Sequence, residues 1–182
     1  MEAHLIEHCS PTLASIKTAN LFMYTIPRVP EFADCLQRVN KILNKKGVYV
    51  EALQIREGRA LIWVYRKSQL ESRMQDQRVS KFLGTYGYQT EKLDKVILHL
   101  KERVLSAKKF PHEIGVFLGY PLADVVAFIK NEGKNSKCTG CWKVYTNECE
   151  ARNLFKKYDK CKLIYAKMLS LGKSIRQLTV AA

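Results

Sequence analysis

Apolar residues recur at helical spacing over most of the chain and alternate at strand spacing in one central region. In PRVPEFADCLQRVNKILNKKG, Phe32, Leu36, Val39 and Leu43 fall three or four residues apart, Pro30 sits near the start and Gly47 marks the stop. That pattern predicts a helix burying one face. VYVEALQIREGRALIWVYR holds two β-rich runs around Glu57-Gly58, the strongest hairpin signal in the chain. Upstream, LIEHCSPTLASIKTANLF predicts a short helix, a break at Ser10-Pro11 and a second helix from Thr12, because Pro interrupts helices and Ser or Thr caps them.

Downstream, Ser68 predicts a helix through about Leu83, TYGY a break, and Thr90 with Glu91 the start of the helix EKLDKVILHLKERVLSAKKF. HEIGVFLGYPLADVVAFIK predicts two short apolar helices bent at Gly119 and Pro121. NEGKNSKCTGC reads as a loop, WKVY as a short strand, and 147–171 as a long helix closed by Gly172. These elements predict an α+β, mostly helical fold. One antiparallel hairpin at about 48–66, open to extension by WKVY, packs against helices, and an αα-corner lies at 111–131. A helix-only bundle is the alternative, since an isolated hairpin needs cover. The length suits one globular domain over 1–182.

Composition narrows the functional classes. No run of 18 apolar residues occurs, and MEAHLIEHCSPTLASIK lacks the basic start and apolar stretch of a signal peptide, so a cytoplasmic protein without a membrane span is expected. Six cysteines in such a chain are expected as reduced thiols. The net charge of +14 is spread along the sequence rather than gathered in a basic tail. Such an excess suits nucleic acid, an anionic cofactor or an acidic protein partner, and equally a solvated lysine-rich surface.

The bent segment at 112–130 resembles a DNA-reading helix-turn-helix, and its inward residues Ile114, Leu118, Val125, Phe128 and Ile129 suit that packing. Its outward positions do not. Leu122, Ala123, Val126 and Ala127 offer no Arg, Asn or Gln to a base edge, Asp124 would oppose phosphate, and only Lys130 favours it. A scaffold corner is the simpler reading, and nucleic-acid binding falls to third place.

Three stretches, CSPTLASIKTANLF, FPHEIGVFLGYPLADVVAFI and GCWKVY, together resemble an uncharacterised family of bacterial cytoplasmic proteins, a domain of unknown function, over nearly the whole chain. The resemblance implies no reaction and no catalytic residue. It also implies that Tyr often stands where this chain has Cys141, which detaches the Cys138 and Cys141 pair from any shared function.

That pair, in CTGC, has the spacing of metal ligands or of a redox disulfide. Its context is incomplete for either. A zinc site needs four ligands, His4 and His8 are distant in sequence, and Cys149 and Cys161 stand about 18 Å apart along one helix. Thioredoxin-like chemistry would want a helix after the pair, where WKVY follows. Near the N-terminus, Cys9, Ser10 and Thr12 precede Lys17 and Asn20, which a helix would place on one face beside an anion-favouring helix start. The plain alternative is capping by Ser10 and Thr12 with a solvated Lys17. As a nucleophile, Cys9 has no implied base except His8 or the distant His112.

His112 opens a helix beside Glu113, and its imidazole suits acid-base work or ligation, to metal or haem if it approaches Cys138. A surface or capping histidine is the plain reading. In WKVY, Trp142 with Val144 and Lys143 with Tyr145 face opposite sides, a sensible wall for a planar anionic ligand such as a nucleotide or flavin. Leu61, Trp63 and Tyr65 share one strand face and read as core, which leaves Arg56, Arg59 and Arg66 as anion contacts. The leading expectation is thus a binding or accessory protein whose pocket takes an anionic cofactor or small ligand, built from Cys9, Lys17, Asn20, His112, Trp142, Lys143 and Tyr145. The second is a redox enzyme or electron-transfer partner using Cys138 and Cys141.

Overall fold

At the centre of the computed structural model, which describes residues 1–106 and 109–181, lies a strand buried on both faces. β3 (Arg59–Arg66) is covered along its length except at Arg59. β2 (Val48–Arg56) and β1 (Ala19–Thr25) pair with it antiparallel on either side, giving the order β1-β3-β2. The turn joining β2 to β3 is made by Glu57 and Gly58, both at positive φ (51° and 71°), as a tight hairpin requires. A bulge at Leu53, between Ala52 and Gln54, shifts the register of β2.

Alternation along β3 divides the interior into two layers. Ala60, Ile62 and Val64 face one side, where α1 (Glu2–Leu13), α2 (Val29–Leu43) and the short α9 (Ile175–Leu178) cover them with Leu5, Leu13, Val39, Leu43 and Ile175. Leu61, Trp63 and Tyr65 face the other side, as expected for core. Over them lie α3 (Lys67–Met74), α4 (Gln77–Gly84), α5 (Leu93–Ser106), α6 (Ile114–Phe117) and α7 (Leu122–Lys130). The fold is α+β and mostly helical, and the helix-only alternative is excluded. On α2, Asn40 bonds both the amide (2.9 Å) and the carbonyl (2.7 Å) of Val50, which covers polar backbone of the outer strand β2.

Four expectations need correction. Residues 19–25 form a strand rather than helix, and α1 runs through Pro11 to Leu13 before the chain turns back. Pairing of Phe22 with Ile62, and of its neighbours along β3, overrides the local helix signal. WKVY does not extend this sheet: β5 (Lys143–Val144) pairs only with β4 (Cys138–Thr139), in a separate small hairpin. The predicted 68–83 helix is two helices, because Asp76 accepts from the Arg78 amide at 2.9 Å and caps the second. Arg66 is no anion contact, since it is buried and spent on backbone carbonyls. The predicted helix EKLDKVILHLKERVLSAKKF ends at Ser106 in α5, and its residues 107 and 108 lie outside the described residues.

A third cluster joins the small hairpin to the long α8 (Glu148–Ser170), with Trp142, Val144, Ala151 and Tyr158 at its centre. α8 starts at an Asn147 cap, ends before Gly172 as predicted, and packs along α1. No helix among the described residues is long and apolar enough to cross a membrane.

Candidate functional site

The corner between α6 and α7 organises the site. α6 is a single turn of four residues, too short to act as the first helix of a DNA-reading pair. Two glycines make the bend. A Cβ on Gly115 would stand 2.9 Å from Val125, and Gly119, at φ 82°, would place one 2.8 Å from the Thr18 hydroxyl. From α3, Arg73 donates to the carbonyls of Val116 (2.7 Å) and Tyr120, which holds the corner against the sheet layer.

Asp124, in the first turn of α7, fastens the small hairpin to this corner. Its carboxylate is 2% exposed and accepts from Trp142 Nε1 (2.8 Å), the amides of Tyr145 and Thr146 (2.9 Å each) and the Thr146 hydroxyl (2.8 Å). The sequence reading placed this acid outward. It is instead the buried acceptor that satisfies three backbone and side-chain groups of one loop plus an indole.

Between corner and hairpin lies a cavity of about 350 Å³. Leu118, Val125 and Phe128 form one wall, Gly140 and Trp142 the other, with Phe110 and His112 towards solvent. Trp142 stacks on Tyr120 (centroids 5.0 Å) and meets Phe155 edge-on (4.6 Å). Gly140 permits this, because a Cβ there would overlap the Phe155 ring. The exposed His112 ring packs against Phe128 at 5.0 Å. Lys143 reaches the Gly133 carbonyl with Nζ (2.6 Å), which uses one of its three donors.

Behind Tyr120 is a second, drier group. Amides of Ile16 and Lys17 both donate to the Pro11 carbonyl, turning the chain so that Lys17 is only 7% exposed. Its ammonium lies 5.5 Å from the Tyr120 ring centroid and 6.0 Å from that of Tyr158, with no carboxylate partner among the described residues. Burial pushes the Lys17 pKa down to about 8, helped by Lys162 and opposed by Cys141 and Cys9. Burial pushes the Cys141 thiol up despite the ammonium groups of Lys17 and Lys162, and Tyr158 up to about 12.

Lys17 therefore folds at a cost that depends on pH. Its folded value lies below the ordinary 10.5, so between the two the unfolded chain holds more protons and stability rises with pH. A Lys17→Met protein is expected to be more stable than the parent by about 1–3 kcal/mol at pH 7, after the tyrosine faces have returned part of the desolvation cost. Urea unfolding of both proteins should show this gap narrowing as pH rises from about 8. A gap independent of pH would show that the ammonium is not the source.

Three of the predicted residues, His112, Trp142 and Lys143, meet at the cavity. Lys17 lies behind it, close enough to Cys141 and Cys9 for both to act on its charge. Cys9, on α1, is fully buried with its thiol pushed up by burial, which does not suit a nucleophile. Asn20 does not share a helix face with Lys17: it lies on β1 and accepts from the Thr12 hydroxyl at 2.7 Å. Tyr145 contributes its amide to Asp124 and lies outside the cavity lining. Among the described residues no three His, Cys, Asp or Glu side chains are arranged to hold one metal ion, so Cys138 and Cys141 gain no third ligand. Tyr120, Asp124, Phe128 and Tyr158 were missed, and a lone acid in the apolar stretch LADVVAFI was the available signal for Asp124.

Fold and site together define an α+β protein whose two-helix corner and small hairpin enclose an aromatic cavity. The chain belongs to the family described as Protein of unknown function (DUF3793), which it matches over residues 5–179. No curated protein and no solved structure matches it.

Proposed function

We propose that this protein binds a small aromatic molecule carrying one anionic group, as a binding or accessory protein. What supports this is the cavity itself: about 350 Å³, mostly apolar, ringed by Phe110, Tyr120, Phe128 and Trp142, with few polar groups. A planar ring would lie between Trp142 and Phe128. Its anionic end would turn to His112 and to the two remaining donors of Lys143, in a chain of net charge +14. Asp124 is fully occupied by its own hydrogen bonds and adds no unsatisfied charge to repel the ligand.

Naphthalene-2-carboxylate and its neutral amide are suitable probes for thermal unfolding. Saturating carboxylate is expected to raise Tm by several degrees, as binding about 100-fold above Kd adds about 2.7 kcal/mol. The amide should give less. Thr139→Trp, at an exposed lining position, should abolish the rise, and His112→Ala should erase the preference for the carboxylate. A rise that survives Thr139→Trp would place binding elsewhere.

A further inference from the structure

Two stretches far apart in sequence bring their positive charges to one place. QRVNKILNKKG, at the end of α2 and in the single 3-10 turn after it (Asn44–Lys46), holds four basic residues and no acid, and no acid follows Asp159 in the rest of the chain. Residues of α2, this turn, α9 and Ala181 line a pocket of about 430 Å³. Every polar side chain in that lining is a cation, Lys41, Lys45, Lys46 or Arg176, and Ile42 and Ala181 supply its apolar part. Lys41, Lys45 and Arg176 are exposed, and none of the four cations pairs with a carboxylate among the described residues.

The wall of this pocket is pinned in place. Lys46 Nζ donates to the Thr179 carbonyl (2.6 Å), the buried Arg66 donates to that of Val180 (2.8 Å), and the Val180 amide donates to Leu13 (3.0 Å). The C-terminal dipole of α2 accounts for Lys41 and Lys45. It does not account for Arg176, which arrives from α9 and adds to the repulsion between like charges.

From this convergence we infer that the pocket between α2 and α9 binds a compact polyanion carrying two or more linked phosphate groups. Such a molecule replaces the repulsion among the four cations with attraction. Arg176 offers a planar fork to two oxygens of one phosphate, while Lys41, Lys45 and the two remaining donors of Lys46 act as point charges on the next. The cations meet around one concavity instead of following a line, which suits a compact molecule rather than a nucleic-acid backbone. α2 and α9 cover the sheet face opposite to the layer of α6 and α7, and the pocket shares no lining residue with the aromatic cavity.

The probes are tripolyphosphate, inorganic phosphate and a thymidine oligonucleotide, each titrated into the full chain at constant ionic strength and followed by calorimetry. Tripolyphosphate should bind once per chain and about tenfold or more tighter than inorganic phosphate. The triple variant Lys41→Gln, Lys45→Gln and Arg176→Gln should weaken it about tenfold or more. Lys81→Gln, Lys92→Gln and Lys156→Gln together remove the same charge from exposed positions elsewhere and should leave binding unchanged, and unaltered circular dichroism will show that both variants fold. Equal loss in the two variants would reduce the effect to net charge and overturn the inference. So would failure of tripolyphosphate to bind, or an oligonucleotide that binds more tightly per phosphate and is lost in the Lys41, Lys45 and Arg176 variant.

Discussion

Replacing Asp124 by Ala is expected to lower stability by about 3–5 kcal/mol and to free the 138–146 hairpin from α7. The carboxylate is the sole acceptor for the Trp142 indole and two consecutive amides among the described residues, and removing it strands buried donors on one loop. Each stranded donor costs about 1–3 kcal/mol, and partial solvation of the exposed Thr146 limits the sum. Asp124→Asn keeps one acceptor oxygen and loses the charge, so it should cost about half as much. Urea unfolding gives the magnitude, and amide exchange at Tyr145 and Thr146 locates it. A loss under about 1 kcal/mol, with slow exchange preserved, would deny Asp124 its role.

Arg66→Met is the second large effect, expected at about 2–4 kcal/mol. At the end of β3 its 1%-exposed guanidinium donates to the carbonyls of Thr12 (2.6 Å), Leu13 (2.7 Å) and Val180 (2.8 Å). It thereby closes the C-terminal end of α1 and ties the last residues of the chain to it, an arrangement reinforced by the Val180 amide on Leu13 (3.0 Å). Met replaces the volume and none of the donors. Lys presents a point charge in place of the fork and should recover less than half of the loss. Exchange of the Val180 amide should accelerate strongly in Arg66→Met while the β1–β3 ladder stays protected. Uniform acceleration across the molecule would mean that Arg66 supports the whole core rather than this junction.

How far the sequence could be read follows from where each element gets its stability. α2 carries its own signals, an apolar stripe and Gly47 at φ 73°, and forms where the periodicity predicts. The β2–β3 hairpin does the same through Glu57-Gly58. β1 has no such local signature, because its strand state depends on pairing with β3, forty residues on, and Ser-Pro-Thr upstream imitates a helix start. The site divides in the same way. His112, Trp142 and Lys143 were legible because they flank two recognisable elements, a corner and a short strand. Lys17 was recognised as a cation and placed in the anion pocket on a helix face shared with Asn20, whereas the meeting of the 14–18 turn with Tyr120 and Tyr158 buries it behind the cavity. Asp124 reads as a repulsive surface charge until the hairpin that it anchors is in place.

That the corner and the hairpin enclose a ligand site can be tested most directly with methyl NMR of the full chain during titration with naphthalene-2-carboxylate. The account predicts saturable shifts confined to the methyls of Leu21, Ile114, Leu118 and Val125, the lining aliphatics of the cavity, with intermolecular contacts from the naphthyl ring to Trp142 and Phe128. Shifts absent at these methyls, or centred on other parts of the molecule, would contradict it.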